Sequence, residues 1–203
     1  MSGANPTVVV TGAAGYIGSR VTALLAEARP DWDIAAIDDF STGNVRTIGG
    51  VSVRDVDITD REALAEQLAG ADAVLHLAAV SGVEGCRADP DRAYEVNVTG
   101  TNNVAWWCRR SSTPLAFASS MAVLGDPSVF PLTPDAERAP LNWYGRTKLL
   151  GERALPVFAA DAFPAHAFLK ANLYGEHAVD GRRVSKDTVI TLFVEAALAG
   201  EPL

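Results

Sequence analysis

VVVTGAAGYIGSR, Val8 to Arg20, carries three consecutive valines into Gly12, Gly15 and Gly18. An apolar run of this kind reads as a strand covered on both faces. Glycines at its end let backbone amides at the start of a following helix approach a phosphate without a Cβ in the way. A turn-rich loop with no ligand would explain the glycines equally well. It does not explain Asp38, about 20 residues past Gly18 at the end of the next predicted strand. There a carboxylate is placed to accept hydrogen bonds from both hydroxyls of a ribose. The spacing is G-x-x-G-x-x-G, a departure from the commoner G-x-G-x-x-G dinucleotide pattern.

Working outward, short apolar runs alternate with longer stretches of helical period. Strands are predicted at Val8–Thr11, Asp33–Ile37, Val51–Val56, Ala73–Leu77, Leu115–Ala118 and Ala167–Lys170, and helices near 17–28, 60–69, 91–110, 143–160 and 186–199. This βαβ rhythm predicts an α/β fold, a doubly wound parallel sheet with helices on both faces. Thr59-Asp60 and Asp89-Pro90-Asp91 supply helix starts. The segment Gly125–Pro140, with four prolines, reads as a long irregular loop of the kind that forms lids or binding loops.

Composition narrows the function classes. With 203 residues, 48% of them hydrophobic and 21% charged, the chain is long enough for an ordinary globular core. No apolar stretch approaches the ~20 residues of a membrane span, and MSGANPT has no secretory character, so a cytoplasmic address with no membrane partner is expected. The net charge of −8, without a basic patch, argues against a nucleic-acid partner. Cys86 and Cys108, and His76, His166 and His177, have no metal-ligand spacing, so no metal is expected.

Seven motifs, in order, then resemble one family. They are TGAAGYIGS, DDFSTGN (Asp38 to Asn44), DVDITD (Asp55 to Asp60), HLAAVSG (His76 to Gly82), NVTGT (Asn97 to Thr101), ASSMAVLG (Ala118 to Gly125) and YGRTK (Tyr144 to Lys148). The chain resembles the extended short-chain dehydrogenase/reductases, nearest the NAD-dependent nucleotide-sugar epimerases and dehydratases. The resemblance runs from Thr7 to Leu203. It implies a Rossmann-like domain over 1–175 that binds NAD and carries the catalytic residues, then the start of a substrate-binding region at 176–203, with the C-terminal substrate domain largely missing. It further implies that Gly12, Gly15, Tyr16, Ile17 and Gly18 hold the pyrophosphate. Asp38, with Asp39 beside it, would hold the adenosine ribose, and Asp57 and Ile58 the adenine. Leu77, Ala78, Ala79 and Ser81 would line the cofactor's path, and Asn97 would support the adjoining helix. Asn172 would contact a nucleotide-sugar substrate. A homodimer is expected.

The chemistry is predicted to rest on Ser120, Tyr144 and Lys148. Tyr144 and Lys148 are four apart, so they share a helix face, and the ammonium sits near both the phenol and the nicotinamide ribose. A phenol titrating near 10 needs roughly 4 kcal/mol of preference for its anion to act as a base at neutral pH. Ser120, at a strand end, would hydrogen-bond the reacting oxygen. In the family this set removes a hydroxyl proton while the adjacent carbon is oxidised, giving a transient 4-keto sugar. Dehydratases of the family carry acids directly after the serine or threonine. Here Met121 and Ala122 follow Ser120, so C4 epimerisation of a UDP-hexose is the first expectation. A 4,6-dehydratase, another NAD-dependent sugar or alcohol dehydrogenase, and a non-catalytic NAD-binding fragment or sensor are the alternatives. Leu124 stands where epimerases of the family usually carry an aromatic residue.

Overall fold

In the computed structural model, which describes residues 5–186 and 188–202, β1 (Thr7–Thr11) lies at the centre of a seven-stranded sheet. The others are β2 (Asp33–Asp38), β3 (Thr47–Ile48), β4 (Val51–Asp55), β5 (Ala73–His76), β6 (Leu115–Ser120) and β7 (Ala165–Lys170). Their order is β3-β4-β2-β1-β5-β6-β7. Every pairing is parallel except that of β3 with β4. The chain leaves β1 towards β2 on one side and later returns to place β5 on the other, so the sheet has its switch point between the carboxyl ends of β1 and β5. Open α/β sheets place their ligand crevices there.

Successive side chains of β1 point to opposite faces. Val9 packs with Ile37, Leu64, Leu68, Val74, Val104, Leu115 and Phe117, while Val8 and Val10 pack with Ala36, Ile48 and Val53 on the other face. Val9 and Val10 are fully buried, each contributing roughly 1.5–3 kcal/mol. Helices cover both faces as predicted: α1 (Tyr16–Ala28), α2 (Arg61–Leu68), α3 (Val83–Ala88), α4 (Pro90–Tyr94), α5 (Thr101–Ser111), α6 (Trp143–Ala159) and α7 (Val189–Ala199). The Asp60 side chain caps α2 and Asp89 caps α4, with Pro90 in the first turn of α4.

Four features differ from the expectation. The stretch predicted as one helix at 91–110 is α4 and α5 joined by a π turn, Glu95–Gly100. The turn brings Gly100 against Ile58, whose side chain a Cβ there would meet at 2.6 Å. The two-residue β3 and the short α3 have too few residues to show a period. Beyond the last predicted strand, β8 (Glu176–Val179) and β9 (Arg182–Ser185) form an unpredicted antiparallel hairpin that carries Arg182 and Arg183. Arg183 forms ion pairs with Glu176 and Glu195. Helix α7 begins at Val189, capped by Thr188, not at 186.

Candidate active site in a cleft at the sheet switch point

The glycines divide into two kinds. A Cβ on Gly12, whose φ is +71°, would lie 2.5 Å from the Ala78 nitrogen, and one on Gly18 would lie 2.0 Å from the Gly12 carbonyl oxygen. The close packing of β1, β5 and α1 requires both, with or without a ligand. Gly15 is different. Its Cβ would make only a 3.4 Å contact with the Gly12 oxygen. Gly15 caps α1 and provides no side-chain acceptor for the first-turn amides. Those donors, with the helix dipole behind them, line a cleft together with Tyr16, Ile17 and Gly18. A pyrophosphate fits this bare helix start. The Tyr16 hydroxyl itself is engaged, donating to the Tyr174 or Gly175 carbonyl, each 3.1 Å away.

Asp38 ends β2 in the same cleft. Its carboxylate accepts from the Ala14 amide at 2.9 Å and the Phe40 amide at 2.8 Å, which fixes its orientation. Burial pushes its pKa up, against the pull of those two amides. Each oxygen retains a lone pair for a ribose hydroxyl. Asp39 lines the cleft too, and so do Ile58, Leu77, Ala78, Ala79 and Ser81.

Asp57 lies outside that lining. Its carboxylate accepts from the Thr59 amide at 2.8 Å and from Arg92 Nη2 at 2.6 Å. Burial works against its charge, yet these donors hold its pKa below the usual carboxylate value. Arg92 Nη2 also reaches Asp39 at 3.1 Å, and Nη1 reaches Glu95 at 3.1 Å. Arg92 thus ties α4 to the ends of β2 and β4. No motif marked it, because its partners come from separate elements that only the fold brings together.

At the other end of the cleft, α6 presents Tyr144 in its first turn and Lys148 one turn on. Asn142 caps this helix, its side chain accepting from the Gly145 amide at 2.8 Å. A Cβ on Gly145 would lie 2.3 Å from the Ala122 carbonyl oxygen, so α6 approaches the turn after Ser120 as closely as backbone allows. Ser120, the last residue of β6, is buried beside the Tyr144 phenol, and its hydroxyl accepts from the Ala122 amide at 3.2 Å. It sits behind the lining residues. Burial raises the Tyr144 pKa and the hydrogen bond with Ser120 opposes the rise. Lys148 is almost fully buried, its Nζ 4.8 Å from the centre of the Phe117 ring. Burial first, and then the charge of Lys170, push its pKa down to about 7.

Asn97 and Asn172 do not line the cleft. Asn97, in the π turn, is fully buried. It accepts from the Val80 amide at 2.9 Å and donates to the Val80 carbonyl and the Thr147 hydroxyl, each at 3.0 Å. It therefore braces the cleft wall against α6. Asn172 is exposed beyond β7. His76 is buried between the hydroxyls of Thr11 at 2.7 Å and Thr101 at 3.0 Å, and burial pushes its pKa down to about 3. It is a neutral core residue. Among the described residues no three His, Cys, Asp or Glu side chains cluster to hold a metal, and no helix is long and apolar enough to cross a membrane. Lys170 and Lys186 also line the cleft, and no motif had marked them. A count would have, since the sequence holds only three lysines.

A family model described as NAD dependent epimerase/dehydratase family matches residues 8–203. The chain belongs to that family. It is 37% identical over 157 residues to a UDP-glucose 4-epimerase of Rhizobium leguminosarum bv. trifolii, covering 75% of this chain and 47% of that one. Among solved structures it resembles a UDP-glucose 4-epimerase from Brucella ovis in complex with NAD (TM-score 0.80, 30% identity, 96% of this chain and 61% of that one). It also resembles a UDP-N-acetylglucosamine 4-epimerase from Methanobrevibacter ruminantium M1 in complex with UDP-N-acetylmuramic acid (TM-score 0.83, 28% identity, 97% of this chain and 64% of that one). The chain thus spans less than two thirds of the length of these relatives. The Rossmann-like fold and the NAD dependence read from the sequence are both those of the family.

Proposed function

We propose that this chain provides the cofactor-binding and proton-transfer part of a nucleotide-sugar epimerase that inverts C4 of a UDP-hexose through a transient 4-keto sugar. One observation carries the reading: Tyr144 and Lys148 line the same cleft as the bare start of α1, with Ser120 behind the phenol and the non-acidic Met121 and Ala122 after it. Relatives bearing the 4-epimerase name support it.

In this reading the first turn of α1 and Asp38 hold NAD, and Ile58, Leu77, Ala78, Ala79 and Ser81 shape its path. When bound, NAD would supply the hydride acceptor and donor that reversible oxidation at C4 requires. Tyr144 accepts the C4 hydroxyl proton and later gives it back. Ser120 hydrogen-bonds the phenol and the reacting oxygen. A phenolate at Tyr144 favours the charged form of Lys148, so the two groups titrate as a pair whose apparent values belong to neither alone. Met121 and Ala122 have no proton to exchange, so nothing after Ser120 assists elimination from the sugar ring. A homodimer in the cytoplasm belongs to the same reading.

The test is to incubate the protein with NAD and UDP-galactose and to separate the nucleotide sugars by anion-exchange chromatography. UDP-glucose should form without net NADH. A 4-keto-6-deoxy product, NADH accumulating in proportion to sugar consumed, or NAD binding with no turnover of either UDP-galactose or UDP-galacturonate would each overturn the reading.

A further inference from the structure

The chain has 17 basic residues, and only Lys148, Lys170 and Lys186 among them are lysines. All three line the one cleft. Lys148 is buried on α6, Lys170 closes β7, and Lys186 follows β9, so three separate elements deliver the same functional group to the same place. No ion pair among the described residues involves any of them. The acids lining the cleft, Asp38 and Asp39, stand at the end of β2 and are already engaged, by backbone amides and by Arg92. The lysines instead gather around the Tyr144 end. Cations drawn into a half-buried cleft with no ion-pair partner among the described residues repel one another, and their pKa values are all depressed by burial, with Lys170 acting on both neighbours. An arrangement of that cost calls for an anion.

Which anion it meets follows from the strand register. Lys170 is the partner of Ser120 across the β6–β7 pairing. It is therefore about one strand spacing, 4.8 Å, from the backbone that carries the hydroxyl behind Tyr144. The phosphates of the cofactor have their own donors at the start of α1. The diphosphate of a nucleotide sugar hangs from C1, across the ring from C4, whereas a carboxylate on C5 is attached to the neighbour of the reacting carbon. We infer that Lys170 and Lys186 form an anion subsite beside the reacting centre, and that the sugar accepted there is a hexuronate, carrying its carboxylate next to the carbon that is oxidised. This rests on the epimerase reading and names the substrate class within it. Lys170 then acts as a specificity-determining residue, pairing with the carboxylate and fixing the ring in the cleft.

Direct titration tests the subsite independently of turnover. NAD-loaded protein should bind UDP-glucuronate about tenfold or more tighter than UDP-glucose. Lys170→Met should reduce that ratio by about tenfold, Lys186→Met should reduce it less, and Lys170→Arg should keep most of it. Where turnover is measured, the ratio of kcat/KM for the two substrates should change in the same way. Equal binding of the two sugars by the wild type, or an equal loss for both in Lys170→Met, would overturn the proposal. A loss of NAD affinity in Lys170→Met with the sugar ratio unchanged would also overturn it and assign the lysines to a cofactor phosphate. If neither sugar is epimerised but the uronate preference and its loss in Lys170→Met persist, the epimerase reading fails and the subsite stands.

Discussion

Tyr144 must give up a proton in surroundings that resist it. Its burial favours the neutral phenol, and the Ser120 hydroxyl offsets that preference only in part, so its activation depends on positive charge nearby. Lys148, one turn along α6, is the chain's own source of that charge. Replacing Tyr144 with Phe removes the hydroxyl and almost no volume. We expect kcat to fall by on the order of 10²–10⁴-fold while NAD affinity changes little, because the lost group acts in the transition state. Lys148→Met should weaken both. Steady-state kinetics beside a fluorescence titration with NAD would check this, and near-normal turnover in Tyr144→Phe would remove Tyr144 from its proposed role. Spacing made this pair legible in the sequence, since a four-residue interval on a helix fixes a shared face. Arg92 was not legible, because its partners Asp39 and Asp57 are brought to it only by the end-to-end arrangement of β2, β4 and α4.

Helix α6 meets the turn after Ser120 backbone to backbone. Gly145→Ala would gain up to about 1 kcal/mol of helix propensity. It would also drive a methyl to 2.3 Å from the Ala122 oxygen, an overpacking that costs about 1–3 kcal/mol and moves Tyr144 away from Ser120. The clash should win, giving a lower Tm together with a lower kcat. Gly85→Ala is the control: its methyl would make an ordinary 3.6 Å contact with Val80, so its Tm should be unchanged or higher. If Gly145→Ala melted like Gly85→Ala, the close approach of α6 would not be a constraint. The loop between β6 and α6 is held to the same two elements. Arg138 pairs with Glu152 at 2.9 Å and binds the Pro134 carbonyl at 2.7 Å, while Glu152 accepts from the Ser119 hydroxyl at 2.8 Å. Proline content identified that loop in the sequence, but not its tether. The π turn was equally hidden, because residues 91–110 keep an acceptable helical pattern and the extra backbone residue shows itself in tertiary contacts, in how Asn97 reaches Val80 and Thr147 and Gly100 meets Ile58.

For the molecule as a whole, the parallel sheet was legible because the central strands β1 and β5 are apolar runs and short strand-like runs alternate with helical stretches along the chain. The β8–β9 hairpin was not, since four-residue strands bearing Glu176, His177, Arg182 and Arg183 show no apolar alternation. Buried ionisable groups give the fold a pH signature. Lys148 titrates near 7 when folded and near 10.5 when unfolded, so between those values the unfolded chain binds the extra proton and stability rises with pH. Lys170 and Lys186, shifted the same way, add to the rise. Burial raises the pKa of Cys86, and of Cys108 to about 12, so the thiols oppose the trend once unfolded cysteine ionises, above about pH 8.5. Urea unfolding should therefore show a gain of about 1–2 kcal/mol from pH 7 to 8.5, largely lost in Lys148→Met. An unchanged slope in that variant would contradict the assignment. The same three residues leave the described outer surface furnished with arginine and no ε-amine. Acylating reagents that select amines at neutral pH will thus find their side-chain targets inside the cleft, where the depressed basicity leaves more of each amine unprotonated and able to react. With the α-amine blocked beforehand, coupling to an amine-reactive support would seize the protein by its cleft, and the yield of adduct would report whether that cleft is already filled.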